Sequence, residues 1–142
     1  MKPDCEFNIE EVLKKPLFAH LATQSPDGPR ESPVWLLWED GVLWFIGSSR
    51  DSFPKRIKAD GRCAVGIVDF DLEQGVLRHV GFRGRAVIEK LDPERLKRFL
   101  SRYIGAPSEW NKEFKTNIID GLDLMVRFIP SSVVARDQSY FK

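Results

Sequence analysis

Apolar residues in this chain fall in short, dense runs separated by turn-forming clusters, a pattern that predicts many strands and few helices. The densest stretch is 29–71. Residues 32–38 and 42–46 read as two strands joined by Glu39-Asp40-Gly41, whose Asp-Gly supplies the positive φ of a tight hairpin. Neither run alternates apolar with polar, so both faces must be covered: one by a barrel interior, the other by a second subunit, a helix or a flat ligand. Upstream, 17–23 reads as a strand closed by the turn cluster Ser25-Pro26-Asp27-Gly28, which makes the first three strands a meander. Residues 62–69 form a fourth strand, with Gly66 leaving room for a bulge or a close approach. Residues 76–89 do alternate, with Val76, Val80, Phe82, Ala86 and Ile88 on one side and His79, Arg83, Arg85 and Glu89 on the other. Gly81 and Gly84 are placed to bend that strand at barrel corners.

Three segments have helical signals. Asn8 and Glu11 have capping-box spacing for a short helix that Pro16 stops near Lys15, suited to plugging a barrel end. Asp92-Pro93 opens a helix with an apolar face of Leu96, Phe99, Leu100, Tyr103 and Ile104, ended by Gly105. A further helix is expected from Ser108, carrying Trp110, Phe114 and Ile118 and ending near Gly121. Two last strands, 122–129 and 132–135 or beyond, are separated by Pro130. The pattern predicts one domain over 1–142, a small antiparallel barrel of six or seven strands with added helices.

The chain of 142 residues is long enough to bury a core without disulfides or a structural metal. With 22 basic against 21 acidic residues, no global field favours nucleic acid or an anionic membrane. Cys5, placed near a mobile terminus, and Cys63, in a strand, lack the spacing of a disulfide framework or zinc site, which predicts no metal and a reducing, cytoplasmic setting. No apolar leader and no run approaching the ~18 residues of a spanning helix is present, so a soluble protein without membrane partners is expected.

Local chemistry concentrates at 47–58, where Ser48, Ser49 and Ser52 precede Lys55, Arg56 and Lys58, with Arg50 between them. Hydroxyls, exposed amides and cations together can satisfy several phosphate oxygens. No side-chain acid–base pair stands out, so catalytic residues are left unassigned. His20 reads as a core or interface residue, His79 as structural or as a proton donor or haem ligand, and Cys63 as a small hydrophobe. Arg83 and Arg85 read either as a strip for an anionic substrate or deazaflavin tail, or as solvated edge charges.

Six pieces occur in a recognisable order: 16–23, Asp27-Gly28-Pro29-Arg30, Ser32-Pro33-Val34-Trp35, 52–57, 64–71 and 135–140. As an ordered set they resemble the pyridoxamine 5′-phosphate oxidase-like family of FMN-binding split β-barrels. The resemblance implies a mainly β fold, a six-stranded antiparallel split barrel, and a homodimer with FMN at the subunit interface. It further implies a flavin-dependent oxidoreductase acting on a small molecule; the alternative is a non-catalytic module holding FMN, haem or deazaflavin F420. By this resemblance Arg30, Pro33, Val34 and Trp35 lie along the flavin ring. Ser48, Ser49, Ser52 and Lys55 hold the phosphate, with Arg50 and Arg56 as alternatives. Trp110 and the segment from Arg136 to Tyr140 come from the other subunit. The chain departs from the family where many members have Ser-Lys or Ser-Arg-Lys: Ser52-Phe53 moves the nearest cation to Lys55. The oxidases' C-terminal Arg and Trp arrangement for substrate does not map onto this shorter tail, so oxidation of pyridoxamine phosphate is not implied.

Overall fold

Hairpin chemistry and bulges, more than helix propensity, set this fold. The computed structural model describes residues 1–141. Its strands are β1 (Lys2–Cys5), β2 (Phe18–Thr23), β3 (Arg30–Trp35), β4 (Leu37–Glu39), β5 (Val42–Gly47), β6 (Arg62–Asp71), β7 (Val76–Lys90) and β8 (Leu124–Asp137). The helices are α1 (Glu10–Leu13), α2 (Phe53–Ala59), α3 (Pro93–Ile104) and α4 (Lys112–Asn117). Asp40 and Gly41 have φ of 58° and 74°, the pair of positive values that a two-residue hairpin loop between Glu39 and Val42 demands.

The strands follow the order β3-β2-β6-β7-β8-β5-β4, with β1 added in parallel beside β8. Only Leu36 separates β3 from β4, so the two ends of this order are one piece of chain, and the antiparallel sheet curls into a split barrel. This corrects the single strand expected at 32–38. The Leu36 N–H leaves the ladder and donates to the Tyr103 hydroxyl at 2.9 Å, which lets the chain pass from one edge to the other. Counting β3 and β4 as one broken strand gives the six expected; β1 is a seventh. Cys5, expected at a mobile end, instead pairs with Ala135 in that strand.

Pro130 does not divide β8 into two strands, as its sequence had indicated. Gly84 pairs with Pro130 while Arg83 pairs with Ser132, leaving Ser131 unpaired as a bulge. The extra residue switches which parity faces inward: Leu124, Val126 and Phe128 before it, Val133 and Ala135 after it. Glycine is required at 84, because a Cβ there would stand 2.1 Å from the Ile129 carbonyl oxygen.

Inside the barrel, Leu21, Phe45, Val65, Phe82 and Phe128 meet in one core, which α1 closes with the fully buried Val12 and Leu13. Helix α3 is as expected: the Asp92 carboxylate caps the N–H groups of Glu94 (3.0 Å) and Arg95 (3.4 Å), and Gly105 ends it with φ 79°. It covers the outer side of β4 and β5, packing Phe99 with Leu37, Trp44 and Met125. The helix expected from Ser108 is broken: Pro107–Glu109 is a single 3-10 turn, and α4 starts only where the Asn111 side chain accepts from Phe114 N–H at 3.0 Å. Among the described residues no helix is long and apolar enough to cross a membrane.

Candidate functional site

Outward-facing residues of β3 border an apolar groove of about 390 Å³. Pro33 and Trp35 form one wall; Phe18 and Phe53 stand near them, and Phe114 and Ile118 approach from the α4 segment. The Trp35 indole is fixed by stacking on Tyr103, with centroids 4.4 Å apart and planes 4° from parallel; Phe114 lies tilted at 6.1 Å. Tyr103 is itself pinned: its hydroxyl accepts from Leu36 N–H and donates to the Leu17 carbonyl at 2.6 Å. Burial pushes its phenol pKa up, opposed by the hydrogen bond to Leu36 and the charge on Arg102. Arg102 donates to the carbonyls of Leu36, Leu13 (2.9 Å) and Lys15 (3.0 Å), so α3 locks the corner on which the groove wall stands.

Beyond the groove the loop between β5 and α2 binds carboxylates of its own chain. Ser48 N–H donates to Asp51 at 2.8 Å, and its hydroxyl accepts from Arg50 N–H at 3.1 Å. Ser49 donates through both N–H (2.8 Å) and hydroxyl (2.7 Å) to Asp123, which holds that carboxyl below its usual range. The Ser48 N–H and both Ser49 donors, read from sequence as part of a phosphate cradle, are thus engaged by Asp51 and Asp123. Farther on, α2 begins at Phe53, with Pro54 in its first turn, where a missing N–H costs nothing.

Ser52, Lys55 and Arg56 share a helical face by their i, i+3 and i, i+4 spacing. Arg56 donates to two hydroxyls, Thr23 at 2.7 Å and Ser32 at 3.3 Å. Lys55 is exposed, and neither it nor Arg56 pairs with a carboxylate among the described residues. The Ser52 hydroxyl and the cations of Lys55 and Arg56 therefore remain next to the Phe53 wall of the groove.

The structure brings Pro33, Val34 and Trp35 to the groove; Val34, 9 % exposed, belongs mainly to the barrel core. Arg30 is exposed at the start of β3, opposite Thr23. Trp110 and Arg136 are not brought to this groove within the chain. The Trp110 indole N–H donates to the Gly105 carbonyl at 2.9 Å, and Arg136 pairs with Asp4 at 2.7 Å. Sequence reasoning missed Phe18, Phe53, Tyr103, Thr23 and Ser32. Phe53 lay inside a segment read as polar, and the roles of Thr23 and Ser32 depend on a pairing 33 and 24 residues away.

Other candidates resolve simply. Cys63 is 6 % exposed and burial pushes its thiol up to about 11, so it is no nucleophile at neutral pH. His79 is exposed on the outer face beside Gly66 and Gly81. Among the described residues no three side chains are placed to ligate a metal.

The sequence pattern of the family described as Pyridoxamine 5′-phosphate oxidase matches residues 6–128. Among solved structures, a conserved hypothetical protein from Mycobacterium tuberculosis is similar at 25 % identity and a TM-score of 0.72, over 94 % of this chain and 87 % of that one. A protein described as an F420 reductase is similar at 25 % identity and a TM-score of 0.66, over 87 % of this chain and 94 % of the other. A protein from Mesorhizobium loti described as FAD-binding shares the fold at 18 % identity and a TM-score of 0.64, over 92 % of both chains. A comparison with curated proteins returned no match. With a family pattern running through most of the strands that build the groove, the chain belongs to the pyridoxamine 5′-phosphate oxidase family.

Proposed function

We propose that this chain binds FMN along the Trp35 groove and serves as a flavin-dependent oxidoreductase for a small molecule. The observation that carries the reading is the adjacency of an aromatic slot, walled by Trp35 and Phe53, to the helix face of Ser52, Lys55 and Arg56. A flat tricyclic ring needs the first and a phosphate the second. The residues fit such a group: the slot is apolar apart from Asp51, which accepts from Ser48 N–H, and Lys55 and Arg56 beside it pair with no carboxylate among the described residues. When bound, a flavin supplies the hydride or electron transfer, and the chain binds, orients and dries the ring. The phosphate assignment moves from Ser48 and Ser49, whose donors hold Asp51 and Asp123, to Ser52, Lys55 and Arg56.

The fold also supports a homodimer. Phe18, Val68 and Phe70 on the outer faces of β2 and β6 are 56 %, 47 % and 56 % exposed, continuous with the groove through Phe18. A second copy laid on this face would cover them and close the groove, which is where a partner's Trp110 or Arg136 segment would enter.

Deazaflavin F420 is the second reading, favoured by the similarity to an F420 reductase across most of both chains. A haem-binding, non-catalytic module is the third, and His79 is its only nitrogen ligand on the outer face besides His20. The test is the visible spectrum of the purified protein before and after addition of FMN, F420 or haemin, with Lys55→Ala alongside. A two-banded flavin spectrum co-eluting with a dimer is expected, with weaker retention in Lys55→Ala. A protein that takes up none of the three overturns the reading, and unchanged retention in Lys55→Ala overturns the phosphate assignment.

A further inference from the structure

At the far end of the outer face from Trp35, three arginines border a second depression of about 590 Å³: Arg62 on β6, and Arg83 and Arg85 on β7. Arg62 and Arg85 are direct cross-strand partners in the antiparallel ladder. Facing pairs in a ladder point to the same side of the sheet, and like charges directly opposite are destabilising. Arg83, two residues from Arg85, shares that side and faces Ala64, which adds no counter-charge. Among the described residues, neither Arg83 nor Arg85 lies within ion-pair distance of a carboxylate; only Arg62 is paired, with Asp60 at 2.7 Å. The local balance is three guanidinium groups against one carboxylate, in a chain whose overall charge is +1.

Gly84 lies between the two β7 arginines along the lining, and Ser131 adds a hydroxyl. Bulge and glycine are coupled: the Ser131 hydroxyl donates to the Arg83 carbonyl at 3.0 Å, and Gly84 is excluded from bearing a Cβ by Ile129. The same backbone irregularity that reverses the inward parity of β8 therefore shapes the depression beneath the arginines.

We propose that this depression is a binding site for a multiply charged phosphate group, borne by a small molecule. Guanidinium groups present planar forks that match phosphate oxygens in pairs, and a dianion or trianion between Arg62 and Arg85 removes their mutual repulsion. Charge favours a small ligand over a nucleic acid, since a chain with a net charge of +1 has no global field for a polyanion. The depression shares no lining residue with the Trp35 groove, although Thr23 in its wall also accepts from Arg56, and the proposal does not depend on the flavin reading.

The test uses the full chain at low ionic strength, titrated calorimetrically with pyrophosphate and, in parallel, with adenosine diphosphate. The wild-type protein is expected to bind, and Arg83→Gln and Arg85→Gln each to weaken binding about tenfold or more, the value of a hydrogen bond between charged groups. Lys90→Gln, at the other end of β7, should leave binding unchanged. Tighter binding of pyrophosphate identifies a free anion and tighter binding of the nucleotide a phosphate ester; either supports the site. Thermal melting supplies an independent readout. Pyrophosphate should raise the melting temperature of wild type, while Arg85→Gln should melt higher than wild type without ligand and gain less from it. Failure of the wild-type chain to bind either anion, or binding by the glutamine variants as tight as wild type, overturns the proposal.

Discussion

Replacing Tyr103 by Phe removes one oxygen and keeps the ring, which isolates the role of the hydroxyl at the barrel corner. In the wild-type chain that oxygen accepts from Leu36 N–H at 2.9 Å and donates to the Leu17 carbonyl at 2.6 Å. The Leu17 carbonyl loses a donor worth about 1 kcal/mol, and Leu36 N–H, at a fully buried residue, is left unpaired at about 1–3 kcal/mol. Stacking on Trp35 survives because the ring stays, so the expected destabilisation is about 2–4 kcal/mol. For a chain of 142 residues this lowers the melting temperature by about 6–12 °C, readable by circular dichroism and by urea midpoint. The variant should also respond differently to alkali. Burial raises the native phenol above its ordinary value of 10.0, so above that pH the unfolded state releases a proton that the folded state retains, and stability falls as pH rises. Tyr103→Phe lacks this group and should lose less stability over the same pH range. A fall below about 2 °C, or an unchanged alkaline slope, would refute the argument that this hydroxyl pins the β3–β4 corner.

Two further predictions follow from packing. Gly84→Ala drives a Cβ to 2.1 Å from the Ile129 carbonyl oxygen and should cost about 3 kcal/mol by denaturant unfolding, whereas at Gly66→Ala the nearest atom is His79 Nε2 at 3.9 Å and the loss should stay under about 1 kcal/mol. A thiol reagent at pH 8 should titrate one cysteine rapidly in the native protein, the exposed Cys5, and the second only in denaturant. Cys63 is buried with its thiol raised to about 11, and two fast thiols in the native state would contradict that placement.

Elements that local chemistry decides were legible in the sequence. The Asp40-Gly41 hairpin, the alternation along β7 and the Asp92-Pro93 start of α3 each rest on residues adjacent in the chain, and each stands where its pattern put it. Failures share a cause: a long-range contact overrode a local signal. Pro130 reads as a strand end, but the bulge at Ser131 lets β8 run through it while paired with β7. Residues 32–38 read as one strand because nothing in them announces that Tyr103, 67 residues away from Leu36, will take its N–H. The N-terminal strand β1 has little strand propensity in Lys2-Pro3-Asp4-Cys5 and exists through its neighbour β8, secured by Arg136 on Asp4.

The site shows the same division between composition and pairing. Serines and cations at 48–58 pointed to this segment because it shares a donor inventory with a phosphate-binding loop. Composition could not say which donors are free. Asp123, 74 residues from Ser49, takes both its N–H and its hydroxyl, and Asp51 takes the N–H of Ser48. Those acids convert the front of the loop into a self-bonded brace tying β5 to β8, and they would repel a phosphate placed there. Because the brace holds the loop closed, α2 starts at a fixed position and presents Ser52, Lys55 and Arg56 on one face, with Arg56 steadied by the hydroxyls of Thr23 and Ser32. Shifting the cationic end of the groove from the serine loop to the helix face thus follows from two carboxylates that the motif itself does not contain.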